Sequence, residues 1–334
     1  MSKKAIEPNN INGPILVILP RFIGDAINSL PAIELLNNLY PGKKVCLLIR
    51  PYMRDVLERA EGYDFELIED ARYHPNERIG LYRFAKTLKA SQFSMAVLLR
   101  GSFIEAVLAK LAGIRYVVGY AQNGRKPLLS HPLKLNECHH YIFRYCRLVN
   151  DAHGKPLQSF SLPRLRANKA QLTHPEPHAT AVYIGGKNKA TRHYPVHLAA
   201  NALTKIVAQT QTHLYLLGDS SEHHDAEELR QQLARKNIEA TNLAGTTSLG
   251  ELVDTISAMD AMITIDSGPM HIASACNIPT LALVGLGTSP FSLVAPLTTH
   301  CQVITSHSTS LNEAEIICAI EPEYLAERYL DLFK

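Results

Sequence analysis

Hydrophobic residues along the chain fall into short continuous runs that alternate with stretches of helical periodicity. Ile15-Leu16-Val17-Ile18-Leu19 is an apolar run typical of a strand buried in a parallel sheet. Helical spacing follows from Ile27 to Leu39, so the two segments together predict a βα unit. The further strands predicted in the first half are Val45–Ile49, Phe65–Ile68, Met95–Leu99 and Tyr116–Val118, and the helices are Met53–Arg59, Leu81–Lys89 and Ile104–Leu111.

The alternation stops between about Asn150 and Pro177, where polar and proline-containing sequence predicts a linker. A second alternating series follows. Its predicted strands are Ala181–Ile184, Leu214–Leu217, Ala261–Ile265 and Thr280–Val284, and its helices are Pro195–Ala208, Ala226–Leu233, Leu249–Ala258 and Pro269–Ala275. We therefore predict an α/β protein with two Rossmann-like domains, residues 1–165 and 166–334, facing a central cleft.

The two halves differ in charge. Residues 1–165 hold 23 Lys and Arg against 14 Asp and Glu, whereas residues 166–334 hold 11 against 17. A basic first half suits an anionic partner such as a phosphorylated lipid, a membrane surface or nucleic acid. Scattered solvated side chains would give the same excess, so charge alone leaves both interpretations open.

Cysteine spacing and hydropathy narrow the class of protein. The six cysteines show no C-x-x-C pair and no metal-ligand spacing, which predicts reduced thiols in a cytosolic protein without a zinc site. The pair His139-His140 lacks the cysteine or carboxylate neighbours of a metal centre. The first apolar run is too short for a signal peptide, and no run reaches the length of a membrane span. Membrane contact is therefore expected to be peripheral.

The segment Ile263–Ala273 predicts a strand that runs into an acidic, glycine-containing turn and then a helix. Pro269 fits the first helical turn, with Ser267 or Gly268 as the cap before it. The first-turn amides have no partner within the helix, and together with the helix dipole they can hold a diphosphate. An ordinary capped corner has the same pattern, so that alternative stays open.

Ligands of open α/β sheets bind beyond the carboxyl ends of the strands. Four loops follow predicted strands in this way and are expected to converge on the cleft. They are Pro20–Asp25, Gly185–His193, Gly218–Glu222 and Asp266–His271.

Three segments, in this order, resemble the ADP-heptose:lipopolysaccharide heptosyltransferases of glycosyltransferase family nine. They are Ile15–Asp25 with Leu30-Pro31-Ala32-Ile33, then Asn242–Leu249, then Asp266–Ala273. Ala112-Gly113-Ile114, Gly119-Tyr120 and Gly124-Arg125 are more similar to the second heptosyltransferase of the pathway. The resemblance covers nearly the whole chain. It implies a GT-B fold and an inverting transfer of heptose from ADP-heptose to the inner core of lipopolysaccharide, without a metal or other cofactor.

The resemblance also implies roles for single residues. Asp25 matches the general base that accepts the proton of the acceptor hydroxyl, while the alternative is that it only caps the following helix. Arg192 takes the place of a family lysine at the donor diphosphate, whose negative charge grows as ADP leaves, and Lys189 is expected to assist.

The remaining donor contacts are expected from the turn and from one acidic residue. Asp266 is expected to bind sugar hydroxyls, while Ser267 and Gly268 approach the diphosphate through their backbone. His271 is expected to donate to phosphate, or else to be a structural histidine. Glu222 is expected to accept hydrogen bonds from the ribose diol, or else to be a charged first-turn residue of a helix.

Acceptor contacts are expected from the basic half. Arg21, Arg100, Arg125 and Lys126 lie at predicted loops or strand ends, where they would meet carboxylates and phosphates, although each is also explained as surface charge. The expected partners are thus ADP-heptose and an anionic lipopolysaccharide core, with peripheral contact at the inner face of the inner membrane and no nucleic acid.

Two rival functions remain at this point. One is a family member that uses another nucleotide sugar or acceptor. The other is a nucleotide-sugar-binding scaffold without transfer activity, against which the retention of Asp25 together with Asp266-Ser267-Gly268 argues.

Overall fold

Two parallel β-sheets, each of six strands and flanked by helices, organise the computed structural model. It describes residues 4–168, 178–286 and 289–333. The chain divides between Arg164 and Leu165 into two units, each with its own sheet. The predicted α/β class with two Rossmann-like sheets is confirmed.

The first unit has the strand order β3-β2-β1-β4-β5-β6, with all neighbours parallel. Its strands are β1 (Ile15–Ile18), β2 (Val45–Ile49), β3 (Glu66–Glu69), β4 (Met95–Leu98), β5 (Tyr116–Tyr120) and β6 (His131–Leu133). Its helices are α1 (Ile23–Leu39), α2 (Arg54–Leu57), α3 (Leu81–Ala90), α4 (Phe103–Leu111) and α5 (Tyr141–Ala152).

Burial on both faces explains the continuous apolar runs of this sheet. All residues of β1 and β2 are buried, as expected for inner parallel strands that helices cover on both sides. Leu16 and Ile18 join a core cluster that includes Phe84 of α3 and Leu108 of α4. The neighbouring strand residues point to the other face because side chains alternate along a strand. Helix α1 packs against α5.

The second unit repeats this plan with the order β12-β11-β10-β7-β8-β9, again parallel throughout. Its strands are β7 (Ala179–Tyr183), β8 (His213–Leu216), β9 (Ala240–Asn242), β10 (Ala261–Ile265), β11 (Thr280–Val284) and β12 (Cys301–Thr305). Its helices are α6 (Val196–Thr210), α7 (His223–Ala234), α8 (Leu249–Ser257), α9 (Gly268–Ala275), α10 (Phe291–Val294), α11 (Glu313–Cys318) and α12 (Pro322–Leu330).

The linker predicted from about Asn150 begins slightly later in the structure. Asn150 belongs to the last turn of α5, and the chain leaves helical structure only after Ala152. Residues 169–177, which include the end of the predicted linker, lie outside the described residues. Across the described residues, no helix has the length and hydrophobicity needed to cross a membrane.

Candidate functional site

Asp25 lies in the first turn of α1, directly beyond the carboxyl end of β1. The N-cap of α1 is Phe22, and no side chain caps this helix end, which argues against the alternative that Asp25 is a cap. Within the described part of the chain, its half-buried carboxylate accepts no hydrogen bond and forms no ion pair. Burial raises the pKa of Asp25 from 3.8 to about 6, while the nearby charges of Arg144 and Arg21 oppose this rise. The carboxylate is therefore not engaged by hydrogen bonds from the described residues, and burial brings its pKa closer to neutral pH.

Two residues of α5 complete the surroundings of Asp25, and neither was predicted from the sequence. The positive charge of Arg144 lowers the pKa of Asp25 more than the charge of Arg21 does. Tyr145 is 7% exposed. Burial raises the pKa of its phenol, and the negative charge of Asp25 raises it further. Because α5 packs on α1, residues far along the chain reach the first turn of α1.

An arginine follows each of the first five strands at the carboxyl edge of this sheet. The five are Arg21, Arg50, Arg72, Arg100 and Arg125. In parallel strands these loops share one edge, which is where ligands of open α/β sheets bind. Exposed aromatic residues lie after the first four strands of this sheet, namely Phe22, Tyr52, Tyr73 and, at the start of α4, Phe103. These arginines share one edge of the sheet, but they have different environments.

Arg72 and Arg100 are compensated by carboxylates. The Arg72 guanidinium contacts Asp70 at 2.6 Å and Glu105 at 2.7 Å, and all three side chains are at most 7% exposed. Arg100 also contacts Glu105, at 3.2 Å, and is 22% exposed. Since buried charges need such partners, these two arginines mainly neutralise buried carboxylates.

Arg125 is 1% exposed and therefore does not lie at the surface as the prediction of an acceptor contact requires. Its guanidinium donates to the carbonyls of Tyr120 at 2.8 Å and Arg100 at 2.5 Å, and burial lowers its pKa to about 10. We therefore correct its assignment: Arg125 joins two strand-end loops of the fold. Its neighbour Lys126 is exposed.

Apart from the buried Arg125, Arg21 and Arg50 are the strand-end arginines without a carboxylate within 4.0 Å among the described residues. The guanidinium carbon of Arg50 lies 3.0 Å from the ring centroid of Tyr73, and that of Arg21 lies 4.7 Å from the ring of Phe22. The Tyr52 hydroxyl donates to the carbonyl of Arg21 and so joins the loops after β1 and β2. These neighbours orient the two guanidinium groups without neutralising them.

In the second unit, Arg192 and Asp266 lie together. Nη1 of Arg192 donates to the Asp266 main-chain carbonyl at 3.1 Å. Burial raises the pKa of the Asp266 carboxyl, and Arg192 opposes this rise. Asp266 directly follows β10 and precedes α9. The Arg192 guanidinium from one predicted site loop therefore contacts the main chain of another at one strand end.

The start of α9 supports an anion-binding role. Ser267 is the N-cap, as one of the two predicted options states, but its hydroxyl donates back to the carbonyl of Ile265 at 3.2 Å. It makes no capping bond, so the first-turn amides beginning at Gly268 receive no side-chain acceptor from the cap. Such amides, together with the helix dipole, attract a phosphate group. His271, further along this helix, is buried.

Glu222 is buried and accepts several hydrogen bonds from the protein. Its Oε1 accepts from the Tyr183 hydroxyl at 2.9 Å and from the Gly186 amide at 3.2 Å. Its Oε2 accepts from the Asp219 amide at 2.9 Å, within a capping box. This geometry favours the structural alternative for Glu222, while ribose binding stays a prediction. Lys189 approaches Glu222 at 3.5 Å and Asp219 at 3.8 Å.

The turn after β7 requires glycine for two different reasons. Gly185 has a φ of +68°, and a Cβ there would lie 2.7 Å from Cδ1 of Ile265. A Cβ on Gly186 would lie 2.8 Å from Cγ of Glu222. The loop that carries Lys189 and Arg192 is therefore held tightly against its neighbours at its start.

The described residues contain no group of three or more His, Cys, Asp and Glu side chains arranged to hold a metal ion. No disulfide joins the six cysteines, all of which lie among the described residues.

Comparisons with known proteins place these observations in a family. The model of glycosyltransferase family 9 (heptosyltransferase) matches residues 81–323. Lipooligosaccharide heptosyltransferase 2 of Haemophilus influenzae is 28% identical over 310 residues, 87% of this chain and 88% of that protein. Lipopolysaccharide heptosyltransferase 2 of Escherichia coli is 27% identical over 311 residues, 87% of each chain. The structure of E. coli ADP-heptose heptosyltransferase II superposes with a TM-score of 0.80 at 23% identity, over 96% of this chain and 98% of that one.

Proposed function

The chain belongs to glycosyltransferase family 9, and we propose that it transfers heptose from ADP-heptose to the inner core of lipopolysaccharide. The observation that carries this proposal is Asp25: a half-buried carboxylate, raised in pKa to about 6 and not engaged by described protein groups. A carboxylate in that state accepts a proton at neutral pH, which a glycosyl transfer to a hydroxyl requires.

The second unit supplies the donor site in this proposal. The uncapped first turn of α9 and the guanidinium of Arg192 bind the diphosphate of ADP-heptose, and Lys189 adds a second cation. The Asp266 carboxylate accepts hydrogen bonds from heptose hydroxyls. Negative charge accumulates on the diphosphate as the glycosidic bond breaks, so cations and amides fixed beforehand stabilise the transition state more than the ground state.

The first unit supplies the base and the acceptor site. The acceptor hydroxyl oxygen attacks the anomeric carbon of heptose, its proton passes to Asp25, and ADP leaves with the electrons of the broken carbon–oxygen bond. Direct displacement of this kind inverts the anomeric configuration. Arg21 and Arg50 are the cations best placed for acidic groups of the acceptor, because the protein leaves their charges uncompensated. Arg100 and Lys126 lie at the same edge.

We further propose that the enzyme works in the cytoplasm and touches the inner face of the inner membrane peripherally. Residues up to 165 carry a net formal charge of +9, which favours contact with an anionic lipid surface. Exposed Phe22, Tyr52 and Phe103 lie among these cations. Aromatic and cationic side chains together are typical of proteins that contact the membrane interface.

The test is a transfer assay with ADP-heptose and core acceptors truncated at successive inner-core positions, read as product mass. We expect one heptose to be added, and Asp25→Asn to add almost none under the same conditions. Parallel reactions with UDP-sugars test whether the enzyme uses another nucleotide sugar. A product that forms with UDP-sugars but not with ADP-heptose contradicts the proposed donor. Nucleotide binding without transfer to any acceptor indicates a scaffold instead.

A further inference from the structure

We infer that the outward side of α4, together with the flank of α3 beside it, docks on an anionic lipid surface. This surface, here called the α3–α4 face, consists of Lys86 and Lys89 of α3 and of Phe103, Ile104, Lys110 and Leu111 of α4. The inference rests on the proposed function, since that function brings the enzyme to a membrane, and it assigns the contact to one surface of the first unit.

Helices α3 and α4 lie on one face of the first sheet. Phe84 and Leu88 of α3 and Leu108 of α4 belong to the buried cluster that also contains Leu16 and Ile18 of β1. The two helices also pack against each other, so their remaining sides form neighbouring parts of one surface. Helix α1 lies on the other face of the sheet, because crossovers between parallel strands are right-handed and β2 and β4 flank β1 on opposite sides.

The outward side of α4 is apolar, although a surface helix normally has polar and charged residues there. Phe103 is 48% exposed, Ile104 37% and Leu111 42%. Because residues three, four and seven positions apart share one side of a helix, these side chains form a single stripe with the half-buried Val107. Lys110 is the only exposed charged residue of α4. The helix therefore presents an apolar stripe that no described part of the protein covers.

Lysines of α3 border this stripe. Lys86 and Lys89 share a flank of α3 with the exposed Tyr82, and Nζ of Lys86 lies 5.5 Å from the ring centroid of Tyr82. The side chain of Lys89 reaches the turn after α4, where a Cβ on Gly113 would lie 3.9 Å from Cε of Lys89. This contact shows that the lysine flank of α3 is the one that adjoins α4.

Acidic residues are almost absent from this part of the chain. Between Glu77 and Glu137 there are ten Lys and Arg residues and one acidic residue, Glu105. Glu105 is buried, and two arginines already compensate its carboxylate. None of the three lysines of the α3–α4 face has a carboxylate within 4.0 Å in the described ranges.

An apolar stripe with uncompensated cations beside it is complementary to an anionic bilayer. The apolar side chains enter the boundary between headgroups and acyl chains, and the lysines attract the anionic headgroups. A second copy of this chain fits the face less well. In a two-fold contact each face would meet its own equivalent, so the lysines of the two copies would approach one another without acidic residues between them.

The first experiment measures binding of the full chain to vesicles by flotation. We expect binding to vesicles of phosphatidylcholine mixed with phosphatidylglycerol and little binding to phosphatidylcholine alone. Lys86→Gln and Lys89→Gln are each expected to lower the partition coefficient about fivefold, the equivalent of about 1 kcal/mol for one cation at an anionic surface. Lys155→Gln is the matched control, because this exposed lysine follows α5, which packs on α1 at the other face of the sheet.

The apolar stripe is tested separately. The double variant Ile104→Gln with Leu111→Gln is expected to lower the partition coefficient by at least about tenfold. Added salt should abolish the difference between Lys86→Gln and wild type, because it screens surface charge, but should not abolish the effect of the double variant.

A fluorescence measurement locates the contact. The chain contains no tryptophan, so an introduced one reports only on its own surroundings. Leu111→Trp is expected to shift its emission to shorter wavelength when vesicles containing phosphatidylglycerol are added, and to be quenched by brominated acyl chains. Thr87→Trp is the control, because Thr87 precedes Lys89 by two residues and so lies on the other side of α3. Its emission should stay that of an exposed residue.

Three results overturn the inference. They are binding that does not depend on phosphatidylglycerol, equal emission shifts in the two tryptophan variants, and a dimer in sedimentation velocity that the double variant dissociates while wild type binds no vesicles. None of these measurements requires transfer. If wild type transfers no heptose but binds vesicles through this face, the proposed function fails and the inference stands. Transfer to an acceptor in detergent without binding to vesicles has the opposite meaning.

Discussion

Arg192 donates to the main-chain carbonyl of Asp266 and not to its carboxylate, at 3.1 Å. The position of the guanidinium therefore does not depend on which side chain follows β10. The Asp266 carboxylate is left for a ligand, and the cation stays next to the first turn of α9. The Arg192 guanidinium and the Asp266 carboxylate, both proposed to bind the donor, can therefore be changed independently by mutation.

Arg192→Ala is expected to weaken ADP binding and to slow transfer more than the binding loss alone explains. The reason is that the diphosphate gains charge as it leaves, so the guanidinium interacts most strongly with the transition state. Calorimetry with ADP and steady-state rates measure the two effects. Arg192→Lys is expected to recover part of both, since it keeps the charge but not the planar geometry. Unchanged ADP affinity and unchanged rate in Arg192→Ala contradict this assignment.

Asp25→Asn is expected to lower turnover by roughly 100- to 10,000-fold, the usual effect of losing a general base. ADP binding is expected to stay near the wild-type value, because the proposed donor contacts come from the second unit. Steady-state kinetics with saturating donor and acceptor measure the change. Turnover within a few-fold of wild type shows that another group accepts the proton.

Asp25→Asn is also expected to stabilise the protein at neutral pH. A carboxyl whose pKa is raised on folding binds its proton more tightly in the folded state, so stability falls as pH rises from 3.8 through about 6. A shift of about two units corresponds to about 3 kcal/mol at most. The urea midpoint of the variant should exceed that of wild type at pH 7.5 and match it near pH 4. A difference independent of pH contradicts this account.

Arg50→Gln is expected to raise the acceptor KM about tenfold, the effect of losing one charge-assisted hydrogen bond of about 1.4 kcal/mol, and to leave the donor KM unchanged. Added salt should weaken acceptor binding in wild type more than in the variant. Arg83→Gln, an exposed arginine on α3, is the control. An unchanged acceptor KM in Arg50→Gln removes Arg50 from the acceptor site.

Arg125→Met is expected to lower the melting temperature, because the main-chain carbonyls of Tyr120 and Arg100 lose their donor.

Glu222→Gln separates the two interpretations of that residue. If Glu222 shapes the loops through Tyr183, Gly186 and Asp219, as we expect, the variant weakens binding of ADP and 2′-deoxy-ADP by the same factor. The melting temperature falls as well, since a buried acceptor is exchanged for a group with donors of its own. Loss of affinity for ADP alone supports the predicted contact with the ribose diol.

The inner strands could be predicted from sequence almost completely, whereas three of the four edge strands of the described sheets, β6, β9 and β12, could not. β2, β10 and β11 have the predicted bounds because a strand buried on both faces is an apolar run with polar ends. β6 contains Pro132 and is only half-buried, so neither propensity nor hydropathy marks it. β9, Ala240–Asn242, is likewise short and half-buried.

Of the site, only the residues that lie in local sequence motifs could be predicted. Asp25, Arg192 and Asp266 lie beside strand ends that the sequence marks, and the structure brings the last two into contact. Arg144 follows no strand and no motif. Its position near Asp25 depends on the packing of α5 on α1, which spacing along the chain does not show. The burial of Arg125 could not be predicted either, because arginine is usually a surface residue.

The buried carboxylates beneath the strand-end arginines determine what kind of anion this edge can select. Asp70 and Glu105 neutralise Arg72 and Arg100, and Arg125 is enclosed by loop carbonyls. A long polyanion therefore meets no continuous row of guanidinium groups there. We expect a compact acidic group on a sugar to be bound by two cations, Arg21 and Arg50, each of which has an aromatic ring beside it. Selection at this edge is then expected to depend on the spacing of two charges and the shape of the ligand between them, more than on how many charges the ligand carries.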